Sequence, residues 1–236
     1  MLALVLTFAL PDVKEGFRLW GFTMVEAVSH YHDLVRSDVF GLVPQNAGRL
    51  LDVGGGIGAT GAALKKMGRA SEVIVIDHVT SAWAQGVDKG YVADLEDVDF
   101  LDGVLAENAP FDTILCLDVL EHLRDPRTVI SHLHKCLRPG GVMVISLPNV
   151  NHWSLVGPLL FHGRFDLIES GVMDRTHLHW FARHGVIELA TSSGLVFEEI
   201  QANIGRRLHK VLDKVSFGLL RRFVAVQYVV RVRRPA

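Results

Sequence analysis

The chain has 236 residues, 24 Lys and Arg against 26 Asp and Glu for a net charge of -2, 49% hydrophobic residues and two cysteines. That length suits one sizeable α/β domain with additions and is too short for two full enzyme domains. The near-even charge argues against an extended nucleic-acid surface, and Cys116 and Cys136, one in a predicted strand and one in a predicted helix, read as reduced thiols of a cytoplasmic protein, not as a disulfide framework.

The opening MLALVLTFAL is apolar, but no positive residue precedes it and no small-residue cleavage pattern follows, so a signal peptide is not expected. Such a run is too short to span a bilayer, and the expectation is an element packed on the domain, or a start codon placed too early. Over 15–43, Phe17, Trp20, Phe22, Val25, Val28, Tyr31 and Val35 precede Pro44 and predict one or two helices. Residues 1–44 thus read as a helical cap over a ligand cleft, with Tyr31 and His32 either facing the ligand or packing, and 45–236 as the domain proper.

The stretch RLLDVGGGIGATG, 49–61, predicts a short buried strand ended by Asp52 and Val53, a turn with Gly54, Gly56 and Gly58 at alternate positions, and a helix from Ala59 to Met67. Glycine permits a sharp turn and close approach of a ligand to the main chain. The spacing Gly56-x-Gly58-x-x-Gly61 also matches a dinucleotide fingerprint, so an NAD(P)-dependent oxidoreductase is the alternative. Asp52 tips the choice toward S-adenosylmethionine (SAM), because a carboxylate before the turn repels pyrophosphate and can hold a cationic amino-acid moiety.

A second buried strand, EVIVIDH (72–78), is closed by Asp77, placed to accept both hydroxyls of a ribose. A third, YVADL (91–95), ends in Asp94, suited to an adenine amine, with Leu95 against the ring. In FDTILCLDVLEHLRDP (111–126) a fourth strand leads to Asp118, with Glu121 and His122 at the mouth of the cleft, and Asp125-Pro126 opens a helix to Leu137. Carboxylates plus His are metal-ligand types, but no second ligand cluster of clear spacing accompanies them, so no metal is expected. Arg138-Pro139-Gly140-Gly141 reads as a turn, 142–147 as a fifth strand, and PNVNHW as the loop beyond it, where Asn149 and Asn151 orient an acceptor or form the turn. Alternating β and α elements with short links imply a parallel sheet with helices on both faces.

Farther on, 178–193 predicts a helix stopped by Gly194, and 196–202 a strand. In RRLHKVLDKVSFGLLRRF (206–223), Leu208, Val211, Leu212, Val215, Leu219 and Leu220 recur at helical spacing among six basic residues. The favoured reading is a helix packed across the sheet with a solvated basic face; peripheral contact with an anionic membrane is the other. Residues 223–232 then predict a last strand, one of the final two inserting antiparallel.

The glycine turn DVGGGIG, the acid at Asp77, ADLE, FDTILCLDVLEHLRDP and LRPGG, in this order, resemble the class I SAM-dependent methyltransferases, in particular the branch with the ubiquinone-biosynthesis O-methyltransferases and the methionine-biosynthesis W proteins. The resemblance covers roughly 30–235. It implies a Rossmann-like, doubly wound, seven-stranded sheet, mostly parallel with one antiparallel strand near the C-terminus. It also implies Asp52, Gly54, Gly56 and Gly58 around the methionine, Asp77 on the ribose, Asp94 and Leu95 at the adenine, and Asp118 beside the methionine or methyl group. Relatives often carry Cys where this chain has Gly55. PNVNHW and GRFDLIESGVMDRTHLHWF resemble a subgroup associated with glycan and natural-product modification, although relatives commonly carry a basic residue and an aromatic where this chain has His179-Trp180. A small-molecule or glycan-precursor acceptor, methylated at oxygen, follows. Methyl transfer from a sulfonium needs alignment above all, with a base where the nucleophile is a hydroxyl; His122, His152 and His177, after strands four and five, are the candidates. For DRTH (174–177) the competing reading is a helix cap with Arg175 in an ion pair.

Overall fold

A computed structural model describes residues 34–78, 82–205 and 207–236; the expectations for the first ten residues and for Tyr31 and His32 lie outside them. Seven strands form one sheet: β1 (Gly48–Val53), β2 (Ala70–Asp77), β3 (Lys89–Val92), β4 (Phe111–Leu117), β5 (Leu137–Pro148), β6 (Val196–Asn203) and β7 (Gln227–Arg233). Their spatial order is β3-β2-β1-β4-β5-β7-β6. β7 runs antiparallel to both β5 and β6, while β1 to β5 pair in parallel. This is the doubly wound sheet with one antiparallel strand that the alternating elements imply.

Helices α1 (Ala59–Lys66), α2 (Val98–Asn108), α3 (Pro126–Cys136), α4 (Trp153–His162), α5 (Arg183–Thr191), α6 (Arg207–Val215) and α7 (Arg221–Val224) connect the strands. The central strands carry apolar runs such as Val73–Ile76 and Ile114–Leu117 because both of their faces are covered. Leu51, Ile74, Ile114, Met143 and Val232 point into one core. Leu50, Val73, Leu115, Val142 and Val229 point into the other, with Val39, Leu42 and Val43 from the segment before β1. Two starts follow local chemistry: the Asp97 and Asp125 carboxylates accept the Phe100 and Thr128 N–H groups at 3.1 Å, capping α2 and α3.

Several boundaries differ from the sequence reading. The third strand stops at Val92, leaving Asp94 and Leu95 in the loop beyond it. Of the helices expected over 15–43, the described part holds one 3-10 turn, Ser37–Val39. The Arg138 to Gly141 turn is absorbed into β5, with Gly140 at φ 76°. Helix α5 begins at Arg183 because the preceding residues are engaged elsewhere: Leu178 and His179 donate to the Glu121 carbonyl at 2.8 and 3.2 Å, and Phe181 bridges Asn149. The basic segment breaks into α6, a turn and α7, so β7 starts at Gln227 and not at 223. Helix α6 buries none of its residues, which overturns the expected packing across the sheet.

Candidate functional site

The parallel strands β1 to β5 end on one edge of the sheet, and β1 sits between β2 and β4, the switch point where ligands of such sheets bind. A cavity of about 970 Å³ opens there. Gly54 follows β1, Asp77 ends β2, Asp94 and Leu95 follow β3, and Asp118, Glu121 and His122 follow β4; all line it, together with Asp174, Thr176 and His177 from the later loop. Seven of the residues singled out from sequence as cofactor or base candidates therefore line one cavity: Gly54, Asp77, Asp94, Leu95, Asp118, His122 and His177.

Four do not. Asp52 turns its carboxylate beneath the glycine turn, 1% exposed, and neither oxygen has a hydrogen-bond partner among the described residues. Burial lifts its pKa to about 7; the Gly61 amide, short of full hydrogen-bond geometry, pulls the other way, and Asp77 adds a smaller upward push. Gly58 has φ 82°, and a Cβ there would meet Val87 and Val75 at 2.6 and 2.7 Å, so its missing side chain serves loop-to-sheet packing. Gly56 donates its N–H to Asp77 Oδ2 at 2.7 Å, tying the turn to the end of β2. His152 caps α4, away from the cavity lining: its Nδ1 lies 2.8 Å from Ser154 Oγ and accepts the Ser154 N–H at 3.3 Å.

Asp118 is the centre of a network the sequence does not advertise. It holds φ 55°, unusual for a residue with a side chain. Its Oδ1 accepts from Ser146 Oγ and Gln227 Nε2, each at 2.9 Å, and its Oδ2 pairs with Arg36 Nη1. Arg36 also pairs with Asp38 at 2.8 Å and donates to Ser146 Oγ and Gln227 Oε1 at 3.2 Å. Arg36 and Gln227 are the functional candidates that sequence reasoning missed. They lie 82 and 109 positions from Asp118, and no local spacing marks them.

On the far wall, Glu121 is fully buried with both carboxyl oxygens lacking a hydrogen-bond partner among the described residues. Burial first, and then the Asp118 charge, pushes its pKa well up. The His177 Nδ1 faces the Val172 carbonyl oxygen at 3.2 Å; a carbonyl only accepts, so Nδ1 carries the proton and Nε2 the lone pair. Burial, and then the neighbouring His122, lowers the His177 pKa. His122 Nδ1 lies 3.1 Å from Thr176 Oγ1, which donates to Asp174 Oδ1 at 2.7 Å, so Oγ1 accepts and the His122 Nε2 is likewise the basic nitrogen. The two rings meet edge-on, centroids 4.8 Å apart.

Ligand atoms of Glu121, His122 and His177 all lie within 4.8 Å of one another, a donor set of the kind one divalent cation takes. The sequence offers no partner for Glu121 and His122 because His177 comes from a distant loop. In DRTH, Asp174 accepts the Thr176 N–H at 2.8 Å and Arg175 pairs with Glu169 at 2.6 Å, the local bonding expected of a cap, although no helix starts there. Asn149 is buried and donates to the Arg222 and Ala225 carbonyls at 2.8 Å, a structural tie between the end of β5 and α7.

The cavity suits SAM. Its volume is at the upper end for drug-sized ligands. The Asp77 carboxylate stands at the end of β2 where a ribose would lie, and Ala93 and Leu95 give an apolar slot beside Asp94. The half-buried Asp118, paired with Arg36, adds a carboxylate to the lining beyond β4.

Known proteins share this fold. A family model described as a methyltransferase domain matches residues 24–200. A ubiquinone biosynthesis O-methyltransferase of Xylella fastidiosa (strain 9a5c) is 35% identical over 112 residues, 45% of this chain and 44% of that one. The matched stretch thus spans less than half the length of the first curated relatives. A protein of the same name from Maricaulis maris (strain MCS10) is 26% identical over 84% of this chain and 78% of its own length. Among solved structures, a SAM dependent methyltransferase from Archaeoglobus fulgidus superposes with a TM-score of 0.62 at 16% identity, covering 90% of this chain and all of that one; at that identity the likeness shows the fold. With the family model over three quarters of its length, the chain belongs to the methyltransferase-domain family of class I proteins whose cofactor is SAM.

Proposed function

We infer that the chain transfers a methyl group from SAM to a hydroxyl of a small-molecule or glycan-precursor acceptor. One observation carries this reading: a single cavity joins the acids that end β2 and β4 to a wall with two histidines whose Nε2 atoms are basic. Bound SAM supplies an electrophilic methyl on a sulfonium.

The protein's part is alignment and proton removal. Asp77 accepts the ribose hydroxyls, while Asp94 and Leu95 hold the adenine. The Arg36, Ser146 and Gln227 contacts fix Asp118 at the methionine end. His177, kept neutral by burial, takes the acceptor's proton on Nε2, and its Nδ1–H stays on the Val172 carbonyl to hold the ring. His122 stands beside it as the second base.

The test is calorimetric titration with SAM and, separately, NADH, followed by a screen of hydroxylated acceptor pools with methyl-labelled SAM. SAM binding and label in an O-methyl product are expected. Tight NADH binding with none for SAM would overturn the reading.

A further inference from the structure

The apolar stripe of the basic segment is not covered by any described residue. Leu208, Val211, Leu212 and Val215 recur along one side of α6, yet nothing in that helix is buried. In the turn that follows, Phe217 is 94% and Leu219 81% exposed. Seven large apolar side chains stand exposed between Leu208 and Leu220. Single exposed apolar residues are ordinary on a soluble surface; a contiguous run of this density marks an interaction site.

What the stripe meets is indicated by charge. On the helix, Arg207, Lys210 and Lys214 fall on the side away from the stripe, and Arg221 and Arg222 follow the turn. Against these five cations stands one carboxylate, Asp213, already paired with Arg221 at 3.1 Å, in a chain whose net charge is -2. A two-fold pairing of this face with a second copy would set the two cationic sets against each other. Nucleic acid would leave the apolar stripe in water. A lipid surface accepts both halves: acyl chains take the stripe and headgroup phosphates the flanking cations. The helix has nine residues, far too few to cross a bilayer, so it lies in the interface plane.

We propose that α6 and the turn after it are a docking surface for an anionic lipid bilayer, with Leu208, Val211, Val215, Phe217 and Leu219 entering the headgroup boundary. His152, the N-cap of α4, meets His209 of α6 with ring centroids 5.6 Å apart, and Leu160 and Phe161 of α4 are themselves exposed. The proposal does not depend on methyl transfer, and its test uses no SAM.

The full chain is sedimented with extruded vesicles of phosphatidylcholine alone, or mixed with phosphatidylglycerol. Binding to the mixed vesicles only, weakened by added salt, is expected. Lys210→Gln with Lys214→Gln should cost about 25-fold, roughly fivefold per cation. Phe217→Ser with Leu219→Ser should cost tenfold or more, on the order expected for two lost apolar insertions. Both pairs are exposed, so both variants should keep the wild-type melting temperature. Three outcomes overturn the proposal: no binding of the wild type to anionic vesicles, equal binding to phosphatidylcholine alone, or a concentration-dependent dimer that the Phe217 and Leu219 changes dissolve while lipid binding is absent.

Discussion

Asp52→Asn isolates the energetic consequence of the carboxyl buried under the glycine turn. In the folded chain its pKa stands at about 7 against an ordinary 3.8, because burial disfavours the charged form. A carboxyl whose folded pKa is raised contributes stability that is complete below the unfolded value and is lost as pH rises through the folded value. At about 1.4 kcal/mol per pH unit, the loss between pH 4 and pH 7 is on the order of 4 kcal/mol. Asparagine does not titrate, so urea unfolding of wild type and variant at a series of pH values should give a difference that is flat below pH 4, climbs in the variant's favour to pH 7, and levels off above it. A constant offset from the new amide shifts that curve without changing its rise, and other titrating groups cancel. The variant should also keep its SAM affinity within about threefold at pH 7, since Asp52 does not line the cavity. A flat difference across pH 4 to 8, or a variant less stable at pH 8, would refute the reasoning, for it would mean that the ionised carboxylate is partnered.

Four further outcomes follow. His177→Ala should lower kcat at least a hundredfold with SAM affinity nearly unchanged, and the acidic limb of the wild-type pH–rate profile should lie below 6.5, the ordinary value from which burial lowers this ring; a limb above that value would contradict it. His152→Ala should cost about 1 kcal/mol of stability as a lost cap and leave kcat intact, measured by thermal melting beside initial rates. Treatment with a chelator should leave turnover unchanged if the His177 Nε2 is the base; abolition of turnover, restored by a divalent cation, would instead give Glu121, His122 and His177 to a metal. Gly58→Ala should lose about 2–3 kcal/mol in denaturant unfolding, because a left-handed φ of 82° and contacts of 2.6–2.7 Å with two valines both oppose a methyl group.

The sheet was largely legible because parallel strands covered on both faces write themselves as runs such as EVIVID and TILCL, each closed by an acid. The acids at those closures, Asp77 and Asp118, reach the cavity for the same topological reason. Asp52 stays out of the lining because it sits deeper in the sheet, level with Val75 and Leu115 and two residues short of the level of Asp77, so the turn at Gly55 folds back over its carboxylate. The third strand's end and the start of α5 were misplaced where long-range bonds, such as Leu178 to the Glu121 carbonyl, override local propensity. Arg36, Gln227 and the meeting of His177 with Glu121 were illegible, since each depends on which strand edges the topology brings together. The basic segment was read for its period correctly and for its burial wrongly: periodicity says which side chains share a face, not what that face meets.

Strand β7 has an effect on how the molecule comes into being. It lies between β5 and β6, and among the described residues β6 pairs with no other strand. β6 precedes β7 in the chain, so during synthesis it emerges before the strand it pairs with. That late arrival also delivers Gln227, so the cleft acquires its back wall in the same stroke that zips the sheet's open flank. A chain that lacks β7 therefore lacks both the strand that joins β5 to β6 and the Gln227 contact to Asp118.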